Sequence, residues 1–365
     1  MHIALLNLTS GGLSGGYRGY LLSLVPLLRK DSRVQRLDVF VPPPALPGLL
    51  AAGLTDLSSW PEGDHLQGFR WLRGQIRGSA PDVVFVPSAR QIDTGRPTVV
   101  MVRNMEPLEH PLAGHTLRAG AVNLARAYAA WRACRRARRV IAVSRHVAEF
   151  LTTKWHVDPG RVGVVYHGVA PQRPPSPPDP PKALAGLVPG RFLFTAGSVR
   201  PARGLEDVIT AVARMSDRLP LVIAGAADPD TERHLRRMKA LASRLGVSDA
   251  VIWPGWLDRA AMAWCFDHCA AFVMTSRAEA CPNTVLEAMS HGCVSVSTDQ
   301  PPMPEFFGPA AIYYRAGDAS DLARQIGALR PDGSSGQDAL RRAARERAST
   351  FAWSQTARRT IDELC

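Results

Sequence analysis

The sequence predicts an α/β fold built from two Rossmann-like halves. Short apolar runs alternate with segments of helical periodicity along the 365 residues. Pro, Gly or charged residues bound each run, as expected for parallel strands buried on both faces. A Pro-rich stretch at residues 171–190 has little hydrophobic periodicity and predicts a linker. We therefore expect domains at residues 1–170 and 191–350, and a final helix at residues 351–365.

The first half opens with an apolar strand at residues 2–8, a glycine-rich loop and a helix pattern from about Tyr17 to Arg29. Glycines allow a backbone to approach a ligand closely, although an ordinary strand-to-helix turn fits as well. Neither G-x-G-x-x-G nor the P-loop pattern can be drawn through this loop, so an NAD-dependent enzyme is a weak hypothesis. The loop glycines retained as candidates are Gly12, Gly15 and Gly16.

Further apolar runs predict the remaining strands of the first half. They lie at residues 37–41, 83–86, 98–102, 140–144 and 162–166. The run at 98–102 leads into a polar loop that contains Asn104, and His110 follows a few residues later. Polar residues at the carboxyl end of a parallel strand are candidates for ligand contact, although a structural loop is equally compatible.

A strongly basic segment follows in the first half. Residues 111–147 contain eight arginines and no acidic residue, and the whole chain carries a formal charge of +12. Tyr128 and Trp131 interleave with the arginines between Arg126 and Arg139. Such a helix favours an anionic membrane surface, although a solvated basic face without a partner remains open. Nucleic acid would use similar chemistry, but no helix-turn-helix, zinc-finger, RNP or KH pattern is present.

The second half begins with a strand at residues 192–196 and a loop containing two arginines, Arg200 and Arg203. Cations just beyond a strand suit a diphosphate, because they neutralise its charge without a metal. Two further strands are predicted at residues 221–224 and 251–255. The intervening Asp228-Pro229-Asp230 predicts a helix-capping turn rather than a metal site.

The stretch from Ala270 to Pro309 carries the strongest chemical pattern. A buried strand leads to Glu279, and a helix predicted from Thr284 to about His291 carries Glu287. Free amides at a helix start favour phosphate, and a nearby carboxylate can accept hydrogen bonds from vicinal hydroxyls such as those of ribose. Thr284 and Glu287 also fit a capping box, which would make this carboxylate structural. The predicted amide donors belong to Thr284, Val285 and Leu286.

This stretch resembles the family-four retaining glycosyltransferases, which have the GT-B fold. Glu279 is followed after seven residues by Glu287, then by Ala288-Met289, Gly292 and an apolar strand. The resemblance covers most of the chain and is closer in the second half. It implies two Rossmann-like domains that face a cleft, with the nucleotide-sugar donor bound by the C-terminal one. The final helix would return toward the first domain.

The resemblance also implies roles for particular residues. Glu287 would hold the nucleotide ribose, Glu279 the hydroxyls of the donor sugar and Arg203 the diphosphate. Asn104 or His110 would stand where the family has a His that contacts the transferred sugar. This chain has Ser198 where the family has an Arg, and His167 where it has a hinge Asn. The other residues implied at the donor site are Arg200, Pro254 and Asn283, together with the glycines and helix amides named above.

The reaction implied is transfer of a sugar from a nucleotide diphosphate sugar to a glycan, glycolipid or lipid-linked acceptor, with retention of configuration and without metal or cofactor. A cytoplasmic enzyme, including one at the inner face of the cell membrane, fits six scattered cysteines and an N-terminus that predicts a strand rather than a signal peptide. Two rivals remain: a catalytically silent nucleotide-sugar-binding subunit, and a basic protein that binds nucleic acid or a membrane surface.

Overall fold

Two parallel β-sheets organise the computed structural model, which describes residues 1–9, 15–62, 65–109, 117–170, 176–177, 179–227, 231–329 and 335–365. Each sheet belongs to its own compact unit. The first unit comprises Met1–Leu108, Val122–Gly168 and Ala352–Cys365. The second comprises Glu109–Ala121 and Val169–Phe351.

The first sheet has the strand order of a Rossmann fold. Within the described residues its order is β3-β2-β1-β4-β5-β6-β7, and every pairing is parallel. The central strands are uninterrupted apolar runs because helices cover both faces of such a sheet. The strands are β1 (His2–Leu6), β2 (Arg36–Val41), β3 (Leu57–Ser59), β4 (Val83–Val86), β5 (Thr98–Val102), β6 (Arg139–Ala142) and β7 (Val162–Val164).

The helices of this part of the chain are α1 (Gly15–Lys30), α2 (Leu46–Ala51), α3 (His65–Ser79), α4 (Glu106–Glu109), α5 (Leu117–Arg136), α6 (Arg145–Thr153) and α14 (Trp353–Leu364). The last of these returns from the C-terminus and contacts α1 and β6. Its buried Ile361 and Leu364 supply the apolar contact, and Arg139 pairs with Glu363 at 2.5 Å. The C-terminal helix is therefore part of the first unit.

The second sheet repeats the same strand pattern. Its order is β10-β9-β8-β11-β12-β13 within the described residues, again with parallel pairings. Its strands are β8 (Leu193–Ala196), β9 (Leu221–Ala224), β10 (Val251–Gly255), β11 (Ala271–Met274), β12 (Ser295–Thr298) and β13 (Ile312–Tyr314). Its helices are α7 (Leu205–Arg214), α8 (Glu232–Arg244), α9 (Arg259–His268), α10 (Asn283–His291), α11 (Met303–Phe307), α12 (Ala319–Gly327) and α13 (Ser335–Ser349).

The Pro-rich segment 171–190 is only partly the extended linker that the sequence predicts. Within its described part, Lys182–Leu184 form a 3-10 turn that contacts β10. Leu184 and Leu187 are buried, and the Gly190 amide donates to the His268 carbonyl at 2.7 Å. The prolines hide this packing in the sequence because they break the hydrophobic period that would have indicated it.

No helix in the part of the chain that the structure describes combines the length and the apolar character needed to cross a membrane.

Candidate functional site

The second sheet reverses its strand order between β8 and β11. The chain proceeds from β8 to β9 on one side of this pair, and from β11 to β12 on the other. Ligands of open parallel sheets bind at the carboxyl ends of the strands at such a point, because the diverging connections leave a crevice there. The loop after β8 carries Arg203, and the loop after β11 carries Glu279.

Arg203 and Glu279 meet at this crevice. Nη1 of Arg203 lies 3.1 Å from Oε1 of Glu279, and both side chains are largely buried. The same Nη1 donates to Oγ of Ser276 at 3.2 Å. The ion pair is close but misaligned, so the carboxylate oxygen Oε1 accepts no hydrogen bond from the described residues. A buried acceptor of this kind is suited to a ligand hydroxyl.

Glycines allow the two loops to come together. Gly197 has φ +133°, and a Cβ on it would overlap the Arg203 guanidinium. Gly204 has φ +60°, and its Cβ would overlap the carbonyl of Thr275. Oγ1 of Thr275 donates to the Arg203 carbonyl at 2.7 Å, which joins the β8 loop to the β11 loop. Both close contacts therefore require glycine, because a side chain at position 197 or 204 would overlap the atoms that pack there.

Glu287 lies on α10 and is exposed to solvent. Surrounding protein nevertheless desolvates the carboxyl and raises its pKa to about 7, against the opposing effect of Arg259. The helix begins at Asn283, and its N-cap Pro282 makes no side-chain cap, so the capping box of Thr284 and Glu287 is not formed.

The predicted row of free amides at the start of α10 is wrong in part. The amides of Val285 and Leu286 both donate to the Pro282 carbonyl, at 3.0 and 3.3 Å, and both side chains are buried. A tight first turn satisfies these donors internally. The hydroxyl of Thr284 is different, because it is buried and has no hydrogen-bond partner among the described residues.

The remaining donor-site predictions lie in the second unit with different exposures. Ser198 is exposed, and Arg200 is half-buried at the N-cap of the 3-10 turn Pro201–Arg203. Pro254 lies in β10 and is half-buried, as is Asn283 at the start of α10. Among the described residues no group of three or more His, Cys, Asp or Glu could hold a metal ion. All six cysteines are free thiols.

In the first unit, Asn104 follows β5 and is exposed, and its Oδ1 accepts from the Glu106 amide at 3.1 Å. This contact starts α4, which gives Asn104 a structural use.

Gly15 is the first residue of α1, and the Gly16 carbonyl accepts a 3.5 Å hydrogen bond from Arg103. His167 is buried and stacks with Trp353. Gly12, His110, Asp228 and Asp230 lie outside the described residues.

Sequence reasoning missed the residues that hold the ion pair in place. Thr275 and Ser276 bond to Arg203 from the end of β11, and Gly197 leaves room for the guanidinium. The available signal was a pair of hydroxyl residues directly after an apolar strand. It was weak because Ser and Thr at a strand end are commonly turn residues.

Comparisons with known proteins follow the same division of the chain. The family model described as glycosyl transferases group 1 matches residues 187–348, and the model of glycosyltransferase family 4 matches residues 19–173. Together they cover most of both units. The chain belongs to this family of glycosyltransferases, and its fold is GT-B.

Individual relatives are more distant. A D-inositol 3-phosphate glycosyltransferase of Streptomyces bingchenggensis is 26% identical over 239 residues, which cover 61% of this chain and 52% of that protein. The serotype-specific mannosyltransferase WbdA of Escherichia coli is 26% identical over 180 residues, 48% of this chain and 22% of WbdA. The chain thus spans about half or less of these curated relatives.

Two solved structures share the fold over nearly the whole chain. Anabaena Alr3699/HepE in complex with UDP superposes with a TM-score of 0.77 at 18% identity, covering 99% of each chain. WaaG, a glycosyltransferase involved in lipopolysaccharide biosynthesis, gives a TM-score of 0.66 at 14% identity, also covering 99% of each chain.

Replacing Gly197 by Ala is expected to displace the Arg203 guanidinium and to destabilise the protein by about 1–3 kcal/mol, since φ is +133° and the new Cβ has no space. Gly190→Ala is the matched control, because Gly190 also has a positive φ (+76°) but nothing within 4 Å of the added carbon. Urea denaturation of both variants measures the difference. Equal losses of unfolding free energy in Gly197→Ala and Gly190→Ala would show that the Arg203 side chain moves away from the added carbon without an energetic cost.

Proposed function

We propose that the protein transfers a sugar from a nucleotide diphosphate sugar to a hydroxyl of an acceptor, with the donor bound by the second unit. One observation carries this proposal. A buried arginine lies beside a buried carboxylate at the switch point of a parallel sheet, and one carboxylate oxygen accepts no hydrogen bond from the described residues. A ligand that combines phosphate groups with sugar hydroxyls matches both.

Arg203 would bind the diphosphate in this scheme. The guanidinium presents donors in a fixed fork that suits phosphate oxygens. Its charge would stabilise the negative charge that develops on the leaving diphosphate, and Ser276 and Thr275 keep it in place before the reaction. We propose that this positive charge stabilises the leaving diphosphate in place of the metal ion that other transferases use.

Glu279 would bind hydroxyls of the transferred sugar through Oε1. An ionised carboxylate can only accept hydrogen bonds, and sugar hydroxyls can donate them. Glu287, on α10, would accept hydrogen bonds from the two ribose hydroxyls of the nucleotide. The Thr284 hydroxyl would take over part of the phosphate contact predicted for the amides of Val285 and Leu286, whose hydrogen bonds are already used. Pro254, Asn283 and Arg200 would complete the donor site.

Retention of configuration is proposed without a protein nucleophile. The leaving diphosphate would assist attack on the same face of the sugar, so catalysis consists of positioning and charge stabilisation. Asn104 or His110 would contact the transferred sugar. We propose no cofactor for this reaction.

The acceptor is proposed to be a glycan, a glycolipid or a lipid-linked sugar. Helix α5 favours an enzyme that works at an anionic membrane surface and, by extension, at the inner face of the cell membrane. Val122 and Leu124 keep 42% and 49% of their surface exposed, and Tyr128 keeps 61%. The helix bears five arginines and no acidic residue, which is the pattern of a helix lying in a lipid interface.

One nucleoside diphosphate from a panel of UDP, GDP, ADP and TDP, with CMP as the monophosphate, should raise the melting temperature in the presence of EDTA. Stabilisation of about 2.7 kcal/mol is expected at a concentration 100 times Kd. Glu287→Ala should abolish the shift, because the ribose hydroxyls lose their acceptor. Glu346→Ala removes an exposed glutamate on α13 and should leave the shift unchanged. A shift that survives in Glu287→Ala would remove this carboxylate from the donor site.

Binding of that nucleotide should weaken as the pH falls through the raised pKa of Glu287, about 7. Only the ionised carboxylate offers two acceptors, so at pH 6 about a tenth of the protein is competent and the apparent Kd rises about tenfold relative to pH 8. Isothermal titration calorimetry measures nucleotide binding to wild type and to Glu287→Gln at each pH. Protonation of the nucleotide phosphate affects both proteins, whereas protonation of Glu287 affects only the wild type. A wild-type profile that parallels that of Glu287→Gln would contradict the proposal.

Replacing Arg132, Arg135 and Arg136 by Gln should weaken binding to phosphatidylglycerol vesicles. Each basic residue near an anionic surface contributes about 1 kcal/mol, so the triple variant should lose about a hundredfold in affinity. Cosedimentation measures this loss. The control is Arg233, Arg236 and Arg237→Gln on α8, which removes the same charge from exposed positions. Equal losses in the two triple variants would indicate a general charge effect rather than a binding helix.

A further inference from the structure

The first sheet also has a switch point, between β1 and β4, and an arginine spans it. The chain passes from β1 to β2 on one side and from β4 to β5 on the other. Arg90 follows β4, and its Nη1 donates to the carbonyl of Leu8, which follows β1, at 2.5 Å. The carboxyl ends of these strands thus present a guanidinium at the position where parallel sheets bind ligands.

A second arginine approaches from the next strand. Arg103 follows β5, and its Cζ lies 4.4 Å from the ring centre of Tyr17 and 4.5 Å from that of Tyr20. The two rings are stacked, with an interplanar angle of 7°. Their faces attract the cation and fix its position at the first turn of α1.

Tyr17 supplies a donor at the same place. Its side chain is 5% exposed, and its buried hydroxyl has no hydrogen-bond partner among the described residues. Arg103 and Arg90 are the charges that act on this phenol, opposing the burial that raises its pKa. A buried hydroxyl donor beside two guanidinium groups requires an acceptor, and an oxyanion would supply one.

The positive charge extends further along this edge. Arg126, on α5, acts together with burial to lower the pKa of Arg90. Positive groups gathered in a partly desolvated place create a local potential that attracts anions. Guanidinium groups bind phosphate and carboxylate through paired hydrogen bonds, which selects these groups over halide ions.

We propose that Arg90, Arg103 and Tyr17 form a binding site for an oxyanion, a phosphate or carboxylate carried by the sugar acceptor. The assignment to the acceptor rests on the proposed function, in which the second unit holds the donor. The acceptor class is thereby narrowed to anionic molecules such as sugar phosphates, phosphate-bearing lipids or acidic glycans. Arg126 would contribute long-range attraction rather than direct contact.

The test titrates inorganic phosphate and methyl phosphate into the full chain by calorimetry. The protein is first saturated with whichever nucleoside diphosphate stabilises it, so that the donor phosphates are already in place. Saturable binding is expected in the wild type. Arg90→Gln should weaken it about tenfold or more, since a charge-assisted hydrogen bond is lost. Tyr17→Phe should weaken it severalfold, because it removes only the hydroxyl.

Controls distinguish the alternatives. Arg96→Gln removes an exposed arginine from the same segment between β4 and β5, and should leave phosphate binding unchanged. Arg103→Lys keeps the charge but not the fork, and should reduce affinity without unfolding the protein. No saturable phosphate binding, or binding equal in wild type and Arg90→Gln, would overturn the site.

Two further outcomes separate this site from the donor site. If Arg90→Gln and Tyr17→Phe weaken nucleotide binding instead of phosphate binding, the arginines serve the donor diphosphate and the acceptor assignment is wrong. If no nucleotide binds, phosphate is titrated alone. Dependence of that binding on Arg90 but not on Arg203 would then uphold the anion site while the proposed transferase function fails.

Discussion

The buried contact between Arg203 and Glu279 is the constraint on which the second unit's crevice depends. A guanidinium and a carboxylate taken out of water are costly unless their geometry is fixed, and here it is fixed by backbone. Gly197 and Gly204 leave space that a side chain would fill, and Thr275 joins the two loops. Because each loop follows a central strand of the sheet, the strands themselves position the charges.

The same topology places different chemistry in each unit. At the second switch point an arginine is partnered by a carboxylate, which suits a ligand that combines phosphate with hydroxyls. At the first switch point two arginines lie beside a tyrosine hydroxyl. If the proposed function holds, two crevices of different charge would suit two substrates whose charge patterns differ.

Much of the fold follows from the sequence because its central strands are buried on both faces. Val83–Val86 and Leu221–Ala224 are uninterrupted apolar runs, and their bounds match the sequence prediction. β3 (Leu57–Ser59) was missed because an edge strand of three residues with two serines has no apolar signal. The spacing of Glu279 and Glu287 predicts two carboxylates at the site, and the structure places Glu279 against Arg203. The occupied amides of Val285 and Leu286 depend on a helix start one residue earlier, which local sequence does not determine.

Glu279 and Glu287 have different environments. Glu279 is buried beside Arg203, whose charge offsets the cost of burying the carboxylate, and the imperfect alignment of the ion pair leaves Oε1 without a hydrogen bond from the described residues. Glu287 is exposed and forms no ion pair among the described residues; desolvation by its surroundings raises its pKa to about 7, with Arg259 only partly compensating. Hydroxyl donors therefore gain more from Glu287 than from a fully hydrated carboxylate, because less water must be displaced from it. In the proposed function, the rigid, paired carboxylate would suit the hydroxyls of the sugar and the solvent-accessible one the hydroxyls of the ribose.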